Sequence, residues 1–508
     1  MLAFGFFYKN PIIQRIMDAM KKNWFYIFMA LIAIVYIFFP NNNSTLDAYD
    51  YAASARYGID LYHPHHLLFN AFFHAINSIL HTLNFQCETL RILQLGNAIF
   101  AIGVLLLTRL TLKKTTSDRC ADALTLFAGC SFSMLRYSTE GETYIIPIFF
   151  SLLTSLFFLY SFNKRWCPFI IFSALAISIA CLFHQTAIFW GLGIVLALIF
   201  GKKFRHAILF SCVTLCVPLA YAWILTSKIG KELTFSNLTG FMADYYLSDS
   251  ADTHIGLVNF LMTPISLFRT FFQLHGNIPI ILSKHPSLAL PILLGIASFI
   301  ISAILLKKTE GFKRMEGDIQ KRPFQTAHLL IFLLSLTFAF FSHGNAEFMV
   351  MLPVCLSLFI YPYVDEKHVR SIILFSCCMF LWNVSTCILP NHFFNFYNEQ
   401  AVVDHVRNHP DATYILTDKN LVRNQYFYLY GEEPSARLIS ADNKKEILKI
   451  RRENHSSIVI YKDIDKPSPI SRSSLLDDNN INFEIESKES VIQGDLGTYY
   501  IGIIRLLP

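Results

Sequence analysis

Two aspartates three residues apart, Asp47 and Asp50, open the most chemically equipped stretch of the chain. On a helix that spacing puts both carboxylates on one face. Asp60 and the run His63-Pro64-His65-His66 follow directly. A carboxylate that can take a proton, beside imidazoles that titrate near neutrality, suits general acid–base chemistry. Three short gaps between apolar runs carry more such groups. Glu140, Glu142 and Thr143 stand in the stretch STEGET, followed by Tyr144. His184 stands in the second gap, and Glu347 in the third, HGNAE. Each also has a plainer reading. Asp47 is a good helix N-cap type, Asp50 suits a solvated face, and His63 before Pro64 suits a loop anchor. His184 suits a helix cap, Glu140 reads as a solvated neighbour of Glu142, and His65 and His66 as part of a polar stripe. Arg269, further on, is either a phosphate contact or a snorkelling side chain.

The elements that must position these groups are overwhelmingly apolar. Of 508 residues 54% are hydrophobic and 15% charged, with 48 Phe, outside the range of soluble domains. Runs of about 18 or more apolar residues are long enough to cross about 30 Å of hydrocarbon. The chain therefore reads as an α-helical polytopic membrane protein. Its net charge of +6 is not a nucleic-acid signal, because Lys and Arg gather in connectors between apolar segments, as in cytoplasmic loops of membrane proteins. The 11 Cys lie in or beside apolar segments and read as small buried hydrophobes. The first apolar run lacks a small-residue cleavage site and reads as a retained anchor.

Eleven crossings are expected, near residues 24–39, 91–112, 121–137, 144–162, 168–183, 186–200, 207–226, 288–306, 327–342, 348–363 and 371–389. The basic lead-in with Lys9, Arg15, Lys21 and Lys22 puts the N-terminus in the cytoplasm. The connectors with Lys113 and Lys114, Lys164 and Arg165, Lys202 and Lys203, Lys307 to Arg322, and Lys367 and Arg370 lie on the same side. The three short gaps contain no Lys or Arg and face outside. This register holds only if 45–58 and 65–84 are helices lying in the outer interface, within an outer loop over residues 40–90. His66, Asn70, His74, Asn77 and His81 then form a polar stripe at helical spacing. A second interfacial stretch is expected near 258–282. From residue 390 the composition becomes that of a soluble domain, with 14 Lys and Arg against 17 Asp and Glu. Alternating helix and strand patterns over 390–508 predict a small α/β domain outside the cytoplasm. The membrane domain is then 1–389.

Ionisable groups thus collect at the outer ends of helices, while helix interiors carry almost none. An ion-coupled transporter would place carboxylates near the midplane, and a channel would line a whole pore with polar groups. A site at the outer boundary suits an enzyme whose substrate joins a lipid tail to a polar head. The arrangement resembles the GT-C superfamily of membrane glycosyltransferases. It is most similar to a bacterial branch whose first loop reads roughly G-D-S-G-E, then about a dozen residues, then H-P-P-G-Y-P-L. Here residues 46–50 are L-D-A-Y-D and 63–69 are H-P-H-H-L-L-F. Leu46 replaces the family Gly, and His65-His66 replaces Pro-Gly. Glu142-Thr143-Tyr144 resembles the branch's E-V-Y, and His184 resembles a His in its next outer turn.

The resemblance implies inverting transfer of a hexose or pentose from a polyprenyl-phosphate-sugar donor to a glycan, lipid or protein acceptor. The site would face the periplasm at a bacterial inner membrane. It makes Asp47 the base, with Asp50 and Glu142 as companion carboxylates that raise its pKa or help hold a divalent metal ion. It leaves His63, His184, Tyr144, Arg269 and Glu347 as substrate contacts. A lipid-linked glycan flippase and a non-catalytic membrane scaffold remain the alternatives.

Overall fold

A computed structural model describes residues 11–161, 168–244, 255–309, 311–314, 322–441, 443–453, 456–461 and 483–506. Lys9, Lys164, Arg165 and Lys321 of the expected inner connectors lie outside them. The protein is a polytopic membrane protein with a small C-terminal α/β region. Among the described residues six helices are long and apolar enough to cross a bilayer. They are Thr89–Lys113, Phe204–Ser227, Pro286–Lys307, Arg322–Phe341, Ala346–Tyr363 and Val369–Phe393. Four more expected crossings appear as shorter apolar helices, Asn23–Phe38, Ile145–Ser161, Pro168–Phe183 and Gln185–Phe200.

The expected third crossing is not one helix. It breaks into Asp118–Gly129 and Phe132–Ser138. Backbone freed inside a membrane protein must find internal partners, and here a distant amide supplies one. Asn383 Nδ2 donates to Cys130 O at 3.1 Å and to Phe271 O at 2.8 Å, and its Oδ1 accepts from Gln273 N at 2.9 Å. Asn383 is fully buried. It therefore joins this break to the helix Leu257–Phe271, the first part of the expected second interfacial stretch.

The two first-loop helices form as Leu46–Tyr57 and Phe69–Thr82, with a short 3-10 turn Pro64–His66 before the second. Thr45 caps the first by accepting from Ala48 N at 3.1 Å, which displaces Asp47 from the capping role. Gly58 closes that helix at φ 71°, donating to Ser54 O. This left-handed conformation is one Gly adopts readily. Ala48, Ala52, Ala53 and Ala55 are buried, so small residues let the helix approach its neighbours closely.

The polar stripe on the second helix faces inward rather than toward water. Asn70 is buried, His74 Nδ1 meets Ala55 O at 2.8 Å, and Asn77 accepts from Thr89 Oγ1. Only His81 at the end is exposed. Apolar Ile79 and Leu83 face outward instead. Beside a membrane the apolar face has a solvent of its own, so polar groups turn to the protein.

The C-terminal region follows the expected order closely. Helices Glu399–Asn408, Lys419–Tyr430 and Lys444–Glu453 alternate with strands β1 (Thr413–Leu416), β2 (Arg437–Ser440) and β3 (Ser456–Tyr461). Strands β4 (Phe483–Gly494) and β5 (Gly497–Leu506) complete the sheet. Strand order is β2-β1-β3-β5-β4. β1 runs parallel to both neighbours, and β5 pairs antiparallel with β3 and β4. Helix Lys419–Tyr430 lies on the first-loop helix. Tyr57 Oη donates to Tyr428 O at 2.9 Å, Asn424 Nδ2 donates to Leu46 O at 3.1 Å, and Tyr428 Oη donates to Glu88 at 2.7 Å. The ten described cysteines are free, and Cys87 and Cys212 are exposed rather than buried.

The short loop at 138–143 is held by one amide. Asn97 Nδ2 donates to Glu140 O at 2.7 Å and to Glu142 O at 2.6 Å. Asn97→Leu strands both buried carbonyls and should cost about 2–4 kcal/mol. Thermal unfolding of the purified variant in detergent checks this, with a lowered Tm expected.

Candidate active site

A cavity of about 570 Å³ lies where the first loop meets the outer ends of several helices. Asp47, Asp50 and Tyr51 reach it from helix Leu46–Tyr57, whose small buried face leaves these larger side chains on the open side. His63, His65 and His66 enter from the 3-10 turn that Pro64 begins. His184 and Gln185 come from the turn between Pro168–Phe183 and Ile188–Phe200. Tyr144 stands at the start of Ile145–Ser161, and Asn345 and Glu347 belong to the HGNAE turn. Asp244 completes the acidic set.

Six of the eight residues singled out in the sequence therefore share one chamber: Asp47, Asp50, His63, Tyr144, His184 and Glu347. Glu142 and Arg269 do not line it. Glu142 is buried behind Asp47 and accepts a short hydrogen bond from Thr45 Oγ1. Arg269 is half-buried on Leu257–Phe271, with its Nε unpaired among the described residues. Glu140 is not solvated. It is fully buried, lies 2.9 Å from Arg136, and accepts from Asn41 Nδ2 and from Gly141 N at 3.0 Å. His65 and His66 are chamber walls rather than stripe residues. The dense His-Pro-His-His run was the available signal for them. Gln185 and Asn345 were beyond sequence reasoning, although each adjoins a residue or turn already marked.

Aromatic contacts hold the imidazoles in place. His63 and His66 stack with centroids 4.7 Å apart and planes 9° from parallel. Tyr51 meets His66 edge-on at 4.6 Å, and Tyr144 packs on His184 at 5.1 Å. Tyr144 Oη also donates to Glu347 Oε2 at 3.0 Å. His184 Nδ1 accepts from Thr186 N at 3.2 Å, which puts the proton of the neutral ring on Nε2.

No protein-family model and no curated protein sequence matches the chain. Solved structures do match. ArnT from Cupriavidus metallidurans bound to undecaprenyl phosphate aligns over 95% of this chain and 98% of its own, at 10% identity and TM-score 0.52. The same protein in the apo state aligns over the same shares at 9% identity and TM-score 0.41. The Archaeoglobus fulgidus oligosaccharyltransferase, in complex with Zn and sulfate, aligns over 81% of this chain and 62% of its own, at 14% identity and TM-score 0.45. The fold is GT-C-like.

Among the described residues that wall the chamber there is no Lys or Arg. Burial, then the carboxylates of Glu347, Asp50 and Asp418, push Asp47 up to about 6. Asp50 is also raised, chiefly by burial and by Asp60, against the pull of Arg423. Burial lowers His63, takes His65 down to about 4 with help from His63, and takes His184 down to about 3 with help from His65. His66 falls well below the usual imidazole range for the same reason. At neutral pH the chamber thus offers carboxylate acceptors and neutral imidazoles. Among the described residues no three His, Cys, Asp or Glu side chains are grouped to hold a metal ion.

The native state holds the Asp47 proton more tightly than the unfolded chain does, because its pKa rises from 3.8 to about 6. Stability then falls as pH climbs through that interval, and the ionised carboxylate remains unfavourable above it. Asp47→Asn removes that ionisation. The variant should exceed wild type by up to about 3 kcal/mol near neutral pH. The gap should close below about pH 4, as thermal melts across pH will measure.

Proposed function

We propose that the protein is a membrane glycosyltransferase. It moves a sugar from a polyprenyl-phosphate-linked donor to a hydroxyl on a glycan, lipid or protein acceptor, with inversion, at the extracytoplasmic face of a bacterial inner membrane. The observation that carries the reading is the chamber itself. It joins a half-buried, proton-competent carboxylate to a set of sugar-sized polar walls, in a fold shared with ArnT, whose structure is bound to undecaprenyl phosphate.

In this reading Asp47 is the base. It takes the proton of the acceptor hydroxyl as that oxygen attacks the anomeric carbon. The bond from that carbon to the phosphate oxygen breaks on the opposite face, and its electron pair leaves with the phosphate. A phosphate leaving group needs no general acid, so one carboxylate is enough, unlike the pair in most glycosidases. A pKa of about 6 serves the task, because Asp47 is a stronger base than an ordinary carboxylate yet still ionised at neutral pH. Asp50 and Glu347 supply part of that shift, and Tyr144 fixes Glu347 by its hydrogen bond. With no Lys or Arg among the described wall residues, charge growing on the phosphate is met by neutral donors. His184 Nε2–H, the Asn345 amide and the histidine turn are the candidates. His63 belongs to that turn as a substrate contact, and Arg269 is left as a contact outside the chamber.

The helix Thr89–Lys113 supports this sidedness. Its first residues touch the first loop and Tyr428, and its 25 residues carry Lys113 about 37 Å away. Lys113 pairs with Asp118 at 2.7 Å, and the neighbouring Ser117 bonds Glu366, so the charged connectors gather at that far end. The positive-inside bias supports a cytoplasmic location for that end, with the C-terminal region, residues 390–508, outside beside the chamber.

Two experiments test the reading. Asp47→Asn should lose about 10²–10⁴ in turnover with a polyprenyl-phosphate sugar. The wild-type rate should rise with pH and level off above about 6; undiminished transfer by the variant would remove Asp47 as base. Separately, a cysteine at position 113 should label with an impermeant thiol reagent only after the cells are opened. Labelling of intact cells would invert the layout and with it the proposed site.

A further inference from the structure

A second cavity, of about 350 Å³, lies on the other side of the first-loop helix. Tyr49 forms part of its wall. Two residues beyond Asp47, it points about 200° round the helix from that carboxylate. The remaining wall comes from Asn42, from the segment between membrane and soluble regions at His392–Asn395, and from Glu399, Gln400 and Gln425 of the C-terminal helices. The volume falls within the range of small-molecule sites, about 300–1,000 Å³. None of these residues belongs to the transfer chamber.

The wall offers both donors and acceptors. The amide of Asn42 gives one N–H to His392 O and that of Gln400 one to Asp404 at 2.9 Å, and each amide has a second N–H. His392 Nδ1 meets Pro40 O at 2.8 Å. A carbonyl only accepts, so the neutral ring keeps its proton there and Nε2 remains an acceptor. Gln425 is 6% exposed, and its Oε1 has no partner among the described residues. A buried amide oxygen left unpaired is unfavourable by about 1–3 kcal/mol. Glu399 adds a carboxylate and no Lys or Arg is among the described wall residues, which disfavours phosphates and other anions. Tyr49, inclined against Tyr428 at 5.8 Å, and Phe394, stacked on His285 at 4.0 Å, present fixed aromatic rings. Amide and carboxylate acceptors around rigid rings suit a ligand with many O–H donors and a weakly apolar face.

We propose that this cavity is a saccharide-binding site, separate from the transfer chamber, at the junction of the first loop and the C-terminal region. It takes one hydroxyl-rich, uncharged or amino-bearing sugar unit. The inference stands on the cavity's own walls and does not depend on glycosyl transfer. Occupancy would bridge three segments, so it would also stiffen the seating of the C-terminal region on the membrane region.

The test is binding of glucose, galactose, N-acetylglucosamine and glucosamine to the full-length protein in nanodiscs, by saturation-transfer NMR and calorimetry. At least one of the four should bind the wild type. Gln425→Leu and Tyr49→Ala should each weaken that binding by about tenfold, one lost buried contact, while Asp47→Asn leaves it unchanged. Melting curves check folding. If either variant does not fold, the milder Gln425→Asn and Tyr49→Leu carry the comparison. The proposal is overturned if none of the four sugars binds, if spermidine binds and no sugar does, or if Asp47→Asn abolishes binding that Gln425→Leu retains. The last outcome would put the sugar in the transfer chamber. Because transfer is never the readout, the transferase reading stands or falls separately.

Discussion

A buried polar clamp around the loop at 138–143 holds the rest of the molecule in register. Two carboxylates go out of water there, Glu140 and Glu142, and each such burial is unfavourable by several kcal/mol unless the charge is matched. Arg136 and Asn41 satisfy Glu140, Thr45 satisfies Glu142, and Asn97 takes both loop carbonyls. Those partners come from three separate segments. Satisfying the loop therefore fixes where the first-loop helix begins. The same Thr45 hydroxyl caps that helix, so the clamp and the placement of Asp47 two residues later are a single piece of chemistry.

The chamber inherits its electrostatics from this arrangement. Partial burial and the carboxylates of Glu347, Asp50 and Asp418 raise the proton affinity of Asp47, and no Lys or Arg among the described wall residues offsets them. Burial likewise keeps His63, His65, His66 and His184 uncharged. Membrane helices provide the rigidity and the loops provide the chemistry, which is the usual division between scaffold and functional residues. Here the C-terminal region joins that division. Its helix Lys419–Tyr430 braces the back of the helix that carries both aspartates, and the second cavity opens along the same seam.

Much of this was legible from one dimension. Long apolar runs, basic connectors and the sudden loss of hydrophobicity near residue 390 follow from transfer free energies that act locally along the chain. The alternation of helix and strand after residue 390 appears in the fold, because period and turn chemistry are local too. Reading was least secure where a residue's fate depends on what lies across from it. Glu140 looked solvated because its partners Asn41 and Arg136 are invisible as partners in the sequence. The third crossing looked continuous because Asn383, more than 250 residues away, supports its break.

The sequence by itself determined that the chain lives in a membrane, which segments are helical, and that its ionisable groups cluster at helix ends. Those are consequences of composition and spacing. Only the tertiary structure decided that Asp47, Asp50, His63, Tyr144, His184 and Glu347 share a chamber while Glu142 and Arg269 do not. It also decided that the histidine stripe turns inward. Such outcomes depend on which buried polar group finds which distant partner, and that pairing is energetically strong but carries no local signature.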